Sequence, residues 1–377
     1  MAEFPPGRPT VCLIDHEALR WNLREIRSKV GAKVRILSMV KANGYGHGAA
    51  AIAPTLAAAG GDAFGVATLE EGRELRQAGI HEPILVLAGA YEDQLDEFFT
   101  HALTPVVHEL SRLKQLEVAV RQRGVTLDAH LKIDTGMGRL GLVATEMANW
   151  LPEIKKLTAL RIAGVFSHFS RAESVDGDYT KQQLVLFNRV IARLRTAGVA
   201  PGQVHFANSA ATITLPAAYF DMVRPGIMLY GVYPSPSMAD QITLRPALSW
   251  KTTILQLKKV PADTSISYGQ TFITRRESLI ATLPVGYADG YPRLLSNRGA
   301  VLVGGQRAPV VGRVCMDLTL IDVTDIKNVK QGNEVVLIGR QGGAEISADD
   351  IAAWADTISY EILTSVSARV PRIHLNS

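Results

Sequence analysis

Residues 40–48 read V-K-A-N-G-Y-G-H-G, in which one lysine, Lys41, closes an apolar run and the glycines Gly44, Gly46 and Gly48 follow it. Glycines spaced this way let a backbone approach a ligand closely. A lysine at a pocket mouth can bond covalently to a carbonyl compound when its surroundings keep part of the amine unprotonated. The same residues also suit a strand-end lysine reaching out to water before a turn. A second glycine-rich stretch, G-M-G-R-L-G at 136–141, has the form of a dinucleotide fingerprint. It falls in the fifth strand-helix unit, carries Arg139 inside the turn, and has no acidic strand end about twenty residues on, all of which argue against a nicotinamide site. There is no Walker A sequence, metalloprotease helix or paired Cys-x-x-Cys, so no metal site is expected.

Between residues 10 and 230, short apolar runs alternate with longer amphipathic or alanine-rich segments, the pattern of strand-helix units around a parallel sheet. The expected strands are residues 34–40, 63–68, 84–88, 103–108, 128–134, 162–168, 203–207 and 222–223, with helices over 70–78, 109–123, 145–156 and 180–197 among them. Eight such units predict an α/β fold of the TIM (β/α)8 barrel type, whose active sites lie at the carboxyl ends of the strands. Polar residues gather at those ends: Lys41 after the first, Asp134 and Arg139 after the fifth, His168 after the sixth, Asn208 and Ser209 after the seventh, and Arg224 after the eighth. One of them would mean little, since a lone histidine after a strand is more often structural. Five strand ends on one face carry more weight.

After Tyr230 the stretch V-Y-P-S-P-S-M-A-D reads as a linker, and a mostly-β C-terminal domain is expected from about Leu244. Its predicted strands are residues 248–257, 279–283, 300–303, 308–311, 317–323 and 334–338. One helix is predicted over residues 348–365, with Ser347 as N-cap and Ile351, Trp354, Ile358 and Ile362 as its apolar stripe. The expected organisation is therefore residues 1–12 as a segment joining the β domain, 13–240 as the barrel, and 245–377 as the β domain.

A 377-residue chain with 47% apolar and 20% charged residues can bury large cores in two domains. Its net charge of +4 arises from 40 basic and 36 acidic residues with no basic stripe or tail, so nucleic acid is not an expected partner. The two cysteines, Cys12 and Cys315, suit a reducing compartment. No signal-peptide core or long apolar span is visible, which predicts a cytoplasmic protein without membrane contact.

With these residues placed, the chain resembles alanine racemase, a pyridoxal phosphate-dependent family with a barrel and a β domain. The resemblance spans nearly the whole chain. It rests on V-K-A-N-G-Y-G-H-G at 40–48, L-K-I-D-T-G-M-G-R-L-G at 131–141, S-H-F at 167–169, N-S-A-A at 208–211, V-R-P-G-I-M-L-Y-G at 223–231, S-Y-G at 267–269, G-Y-A-D-G-Y at 286–291, V-C-M-D at 314–317 and S-Y-E at 359–361. It implies racemisation of L- and D-alanine by two bases, one for each face of the cofactor plane.

By that resemblance Lys41 carries pyridoxal 5'-phosphate and is one base, and Tyr268, from the β domain of a partner subunit, is the other, so the enzyme is a homodimer with shared sites. A phenol, with its reference pKa near 10, is a poor base at neutral pH unless positive neighbours favour its anion, and Arg139 and His168 are the candidates. Arg224 meets the pyridine nitrogen. Tyr45, Ser209, Gly226, Ile227 and Tyr360 bind the phosphate, Arg139 and Met316 receive the substrate carboxylate, and Tyr287 and Asp317 line an entryway. Lys132 matches a position carbamylated in many relatives. The family role implies D-alanine for cell-wall peptidoglycan. Serine or broad-specificity racemases are the nearest alternative, because one methyl or hydroxyl in a small pocket gives limited discrimination. Amino-acid decarboxylases of similar architecture and single-domain cofactor-carrying regulators fit less well: the first have no use for Tyr268, and the second lack the β half.

Overall fold

The computed structural model describes residues 7–173 and 177–377; the first six residues of the expected N-terminal segment lie outside these. The chain forms two compact units, one of Leu19–Gly44 with Ala49–Arg245, the other of residues 7–18 with Tyr45–Gly48 and Pro246–Ser377.

In the first unit the strands Arg35–Met39, Ala63–Val66, Ile84–Val86, Thr104–Val107, Leu127–Asp134, Leu160–Phe166, Gln203–His205 and Met222–Val223 pair in parallel, each with the next. The last pairs back onto the first, Met222 opposite Arg35, and this closes an eight-stranded barrel. The fold is the TIM barrel expected from the alternation of apolar and amphipathic runs. A ninth short strand, Leu142–Val143, adds onto the outer end of Leu127–Asp134.

The helices begin where local chemistry starts them. Leu69–Gln77 opens with a capping box in which the Thr68 hydroxyl accepts from the Glu71 amide, and Leu110–Arg123 ends at Gly124 in the left-handed conformation. Glu117 of that second helix accepts hydrogen bonds from the amides of Thr158, Ala159 and Leu160, so one carboxylate fixes the loop that launches the sixth barrel strand. Burial alone would raise its pKa. The amides of Leu160 and Thr158, the Thr158 hydroxyl and Arg121 outweigh that effect and hold it at about 2. The folded value lies below the ordinary glutamate value of about 4.3, so this stabilisation is present above that pH and is lost as pH falls toward the folded value. Replacing Glu117 by Gln should cost about 2 kcal/mol at neutral pH and flatten the acid limb of a urea-denaturation series. A parallel acid limb in wild type and variant would contradict this.

In the second unit a sheet runs in the order Gln306–Pro309, Ala300–Val303, Glu334–Gln341, Leu248–Thr253, Val11–Asp15, Arg372–Leu375. Val11–Asp15 and Arg372–Leu375 are parallel neighbours. A second sheet joins Gln256–Val260, Ser278–Leu283 and Thr319–Asp322, and a short hairpin pairs Ser265–Ile266 with Phe272–Ile273. This matches the mostly-β expectation, with two differences in detail. The single strand predicted over residues 248–257 is two strands in different sheets, separated at Ile254 and Leu255. The helix predicted over residues 348–365 is two helices, Ala348–Trp354 and Ser359–Ser365. Ser347 does cap the first, accepting from the Asp350 amide. That helix closes when Asp356 turns left-handed (φ 54°) and the Thr357 amide bonds back to the Ala352 carbonyl, a Schellman-type stop. Ile358, expected in the apolar stripe, is 62% exposed, while Ile351 and Ile362 are buried.

Candidate active site

Lys41 sits two residues beyond the first barrel strand, where the backbone takes an uncommon path. Ala42, Asn43, Gly44, Tyr45 and Gly46 all have positive φ, so the lysine is followed by a left-handed turn. Two anchors hold it: the Glu71 carboxylate accepts from the Ala42 amide at 2.6 Å, and the Asn43 side chain accepts from the Ala49 amide at 2.8 Å. Gly46 is required twice over, by its φ of 82° and because a Cβ there would lie 2.1 Å from the Leu363 carbonyl oxygen.

The Lys41 amine has its pKa lowered, first by burial and then by Arg139, with Glu71 partly opposing. Lys132, buried on the fifth strand, is lowered to about 8, by burial first and then by Arg139 and Arg224. Two amines with raised neutral fractions thus share the barrel mouth.

The G-M-G-R-L-G turn is explained by Asp134 and not by a dinucleotide. One Asp134 carboxylate oxygen accepts from the amides of Gly136, Met137 and Gly138, curling the chain tightly enough to present Arg139. Gly141, at φ 135°, lies so close that a Cβ would meet the Asp134 amide nitrogen at 2.6 Å.

Arg224, directly after the eighth strand, is buried and enclosed by acceptors. Its guanidinium donates to His205 Nδ1 (3.0 Å) and to the carbonyls of Ser167 (2.7 Å) and Phe206 (3.0 Å), and lies 3.3 Å from His168 Nδ1. Burial lowers its pKa to about 9, which leaves it cationic at neutral pH. A guanidinium only donates, so His205 Nδ1 is an acceptor and that imidazole carries its proton on Nε2. His205 Nε2 then donates to His130 Nδ1 at 2.8 Å. Their strands, the seventh and the fifth, are not neighbours, so this bond crosses the barrel interior. Phe166 stacks on His205 at 4.7 Å and lies under Arg224 and Lys132, at 5.0 and 5.9 Å from the ring centroid.

The pKa of His168 lies well below the ordinary imidazole value because of burial, then Arg224, Arg139, Lys132 and Lys41. That corrects one expectation: among so many cations the neutral form of His168 is favoured, so it is not a source of positive charge. His205 and His130 are likewise pushed down by burial, His130 to about 4. Neither was singled out from the sequence, where a histidine inside an apolar strand looks like core.

Ser209 opens the short helix Ser209–Thr214, and its hydroxyl accepts from the Gly226 amide at 2.8 Å. That bond draws Ser209 to the start of the turn Ile227–Tyr230. Lys41, Arg139, His168, Ser209, Arg224, Gly226 and Ile227 thus all follow barrel strands on the carboxyl side, and Lys132 lies within the last residues of the fifth.

The remaining candidates belong to the β unit. Tyr45, buried, has its ring 6.1 Å from that of Tyr360. The G-Y-A-D-G-Y turn is stitched to V-C-M-D by the Tyr287 amide on the Cys315 carbonyl and the Ala288 amide on the Met316 carbonyl, both at 3.0 Å, which brings Tyr287, Met316 and Asp317 together. Arg369 donates to Asp317 at 2.7 Å and lies 3.6 Å from the buried Asp289, which also pairs with Arg8. Tyr268 is 71% exposed, with Met316 at 54% and Tyr287 at 42%.

The donor set suits one kind of group: an aldehyde-reactive amine, a donor-only cation fit for a ring nitrogen, and a hydroxyl-amide cradle for a phosphate. A closed eight-stranded barrel followed by a mostly-β unit, with two lysines of lowered pKa at the barrel mouth, defines the class of two-domain barrel enzymes. The family models for the N-terminal and C-terminal domains of alanine racemase match residues 14–234 and 247–374. An alanine racemase of Halothermothrix orenii is 46% identical over 98% of this chain and 97% of its own length. The crystal structure of the alanine racemase from Streptomyces lavendulae superposes with a TM-score of 0.93 at 36% identity, covering 99% of this chain and 98% of that one. That of the Bartonella henselae alanine racemase with covalently bound pyridoxal phosphate does so at 0.88 and 32% identity, covering 98% and 100%. The chain belongs to the alanine racemase family.

Proposed function

We propose that this chain interconverts L- and D-alanine using pyridoxal 5'-phosphate, as a homodimer in which each barrel site is completed by the partner's β unit. The observation that carries the reading is the placement of Lys41 just beyond the first barrel strand, on a turn fixed by Glu71 and Asn43, with its pKa lowered by burial and Arg139. Bound there, the cofactor would draw electron density from the substrate's α-carbon and acidify its proton.

The protein does the rest. Lys41 holds the cofactor until substrate arrives, and its released amine then takes or returns the α-proton on one face. Tyr268 serves the opposite face. Arg224 offers a hydrogen bond to the ring nitrogen but keeps its own proton, which limits charge build-up at the α-carbon and disfavours side reactions. His205 and His130 hold that guanidinium from behind. Ser209, the amides of Gly226 and Ile227, Tyr45 and Tyr360 take the phosphate, and Arg139 with Met316 receives the substrate carboxylate. Tyr287 and Asp317 narrow the approach. Lys132, with a pKa near 8, is suited to carbamylation, which would place an anion beside Arg139; a carbamate carbon signal in 13C-bicarbonate, absent after Lys132→Ala, would confirm it. The product would supply cell-wall peptidoglycan from the cytoplasm.

The exposure of Tyr268, Met316 and Tyr287 on a single chain supports the shared site, because residues meant for substrate would otherwise face water. Mixing and reassociating Lys41→Ala and Tyr268→Phe homodimers, each far below wild-type activity, should restore activity, since each mixed dimer then has one intact site. Statistical pairing predicts recovery to about a quarter of wild type. No recovery despite verified mixed dimers would overturn the shared site.

A further inference from the structure

Ser267 has a backbone conformation that its residue type does not favour. At φ 64° and ψ −174° it occupies a region open essentially to glycine alone. It immediately precedes Tyr268, and Gly269 and Gln270 continue with positive φ. The hydroxyl shows what holds it there: Ser267 Oγ donates to the Arg313 carbonyl at 2.6 Å and lies 3.6 Å from Cys315 Sγ. Gly312 permits the approach, since a Cβ on it would sit 2.6 Å from that of Ser267. A second tie runs through Asn297, whose amide nitrogen donates to the Thr271 hydroxyl at 3.2 Å and whose oxygen accepts from the Gly312 amide at 2.6 Å. The loop bearing Tyr268 is thus clamped at both ends to the loop of residues 312–317, which carries Met316.

We propose that Ser267 is the positioning residue of Tyr268: its hydroxyl, bonded to the Arg313 carbonyl, holds the backbone in a glycine-type conformation that sets the direction of the phenol. The proposal rests on the reading of Tyr268 as a base. Ser267 need not touch substrate. An alanine there keeps the strain and loses the tether, and a glycine loses both, so neither holds the loop as serine does. Asn297 acts as the second fastening, which keeps the loop in place while the tyrosine end is set.

The test uses full-length Ser267→Gly and Ser267→Ala proteins beside Tyr268→Phe. Two readouts are followed: backbone amide hydrogen exchange over residues 266–271 without cofactor, and α-proton exchange of each alanine enantiomer in deuterated water with cofactor. Ser267→Gly should melt close to wild type, because relief of strain offsets the lost hydrogen bond. Its amides at 266–271 should exchange faster. The α-proton exchange that Tyr268→Phe abolishes should fall about ten- to a hundredfold, as a misplacement near 1 Å predicts, while exchange of the other enantiomer stays near wild type. Unchanged amide exchange, or equal losses for both enantiomers, overturns the proposal. If Tyr268→Phe itself slows both enantiomers equally, the reading of Tyr268 falls and takes this proposal with it; if only Tyr268→Phe is asymmetric, the role of Ser267 alone is wrong.

Discussion

Replacing Lys41 by Ala is expected to abolish racemisation, by at least about 10⁵-fold, on the scale seen when a covalent catalyst's nucleophile is removed. The visible absorbance of bound cofactor should disappear with it. This is a sharp test because the barrel mouth holds a second candidate. Lys132 is also buried and has its pKa lowered to about 8, so it too has a substantial neutral fraction near physiological pH. What separates the two is placement. Lys132 lies within the fifth strand over the Phe166 ring, whereas Lys41 follows its strand at a turn fixed by Glu71 and Asn43. If Lys41→Ala kept the absorbance of attached cofactor, Lys132 would be the anchor and the assignment of Lys41 would fail.

Replacing Tyr268 by Phe should leave that absorbance intact and slow racemisation by about 10²- to 10⁴-fold, the usual contribution of a positioned general base. Both directions of net racemisation must slow together, since the two enantiomers are equal in free energy. Isotope exchange need not. One enantiomer should still exchange its α-proton through Lys41, with retention, while the other ceases. Removing only the phenolic oxygen leaves the ring and its packing, so loss of cofactor binding would point to a structural role. Mild, symmetric slowing of exchange would contradict the two-base scheme.

Much of this arrangement was legible in the sequence because barrels report themselves locally. An apolar run such as R-I-L-S-M-V followed by a polar residue marks both a strand and its carboxyl end, and the ring closure Met222 to Arg35 follows from the count of such units. Features decided by distant partners were not legible. The N-terminal segment is expected from the sequence to join the β domain, but the strand Val11–Asp15 and its pairing with Leu248–Thr253 and Arg372–Leu375, which lie at the far end of the chain, are not. The stop at Asp356 carries neither Gly nor Pro, and the stripe Ile351, Trp354, Ile358, Ile362 runs through it in helical phase, so periodicity outvoted a left-handed aspartate.

The site divides the same way. Residue types drew attention to Lys41, Arg139, His168 and Arg224, because polar and charged groups at barrel strand ends are informative. His205 and His130 gained meaning only once Arg224, which can only donate, fixed their tautomers. The glycines of 136–141 suggested a dinucleotide to pattern matching and proved to serve the Asp134 turn. Ser267 is invisible to sequence reasoning altogether, since its backbone angles, and not its side-chain type, set it apart.

The central claim is two-faced proton transfer on alanine, and one tube tests it: proton NMR of the purified chain with pyridoxal phosphate and L-alanine in deuterated water, read alongside a chiral assay. The account predicts loss of the α-proton signal together with accumulation of D-alanine. Exchange without D-alanine would show only one competent base, and activity on serine with none on alanine would place the chain among racemases of other specificity.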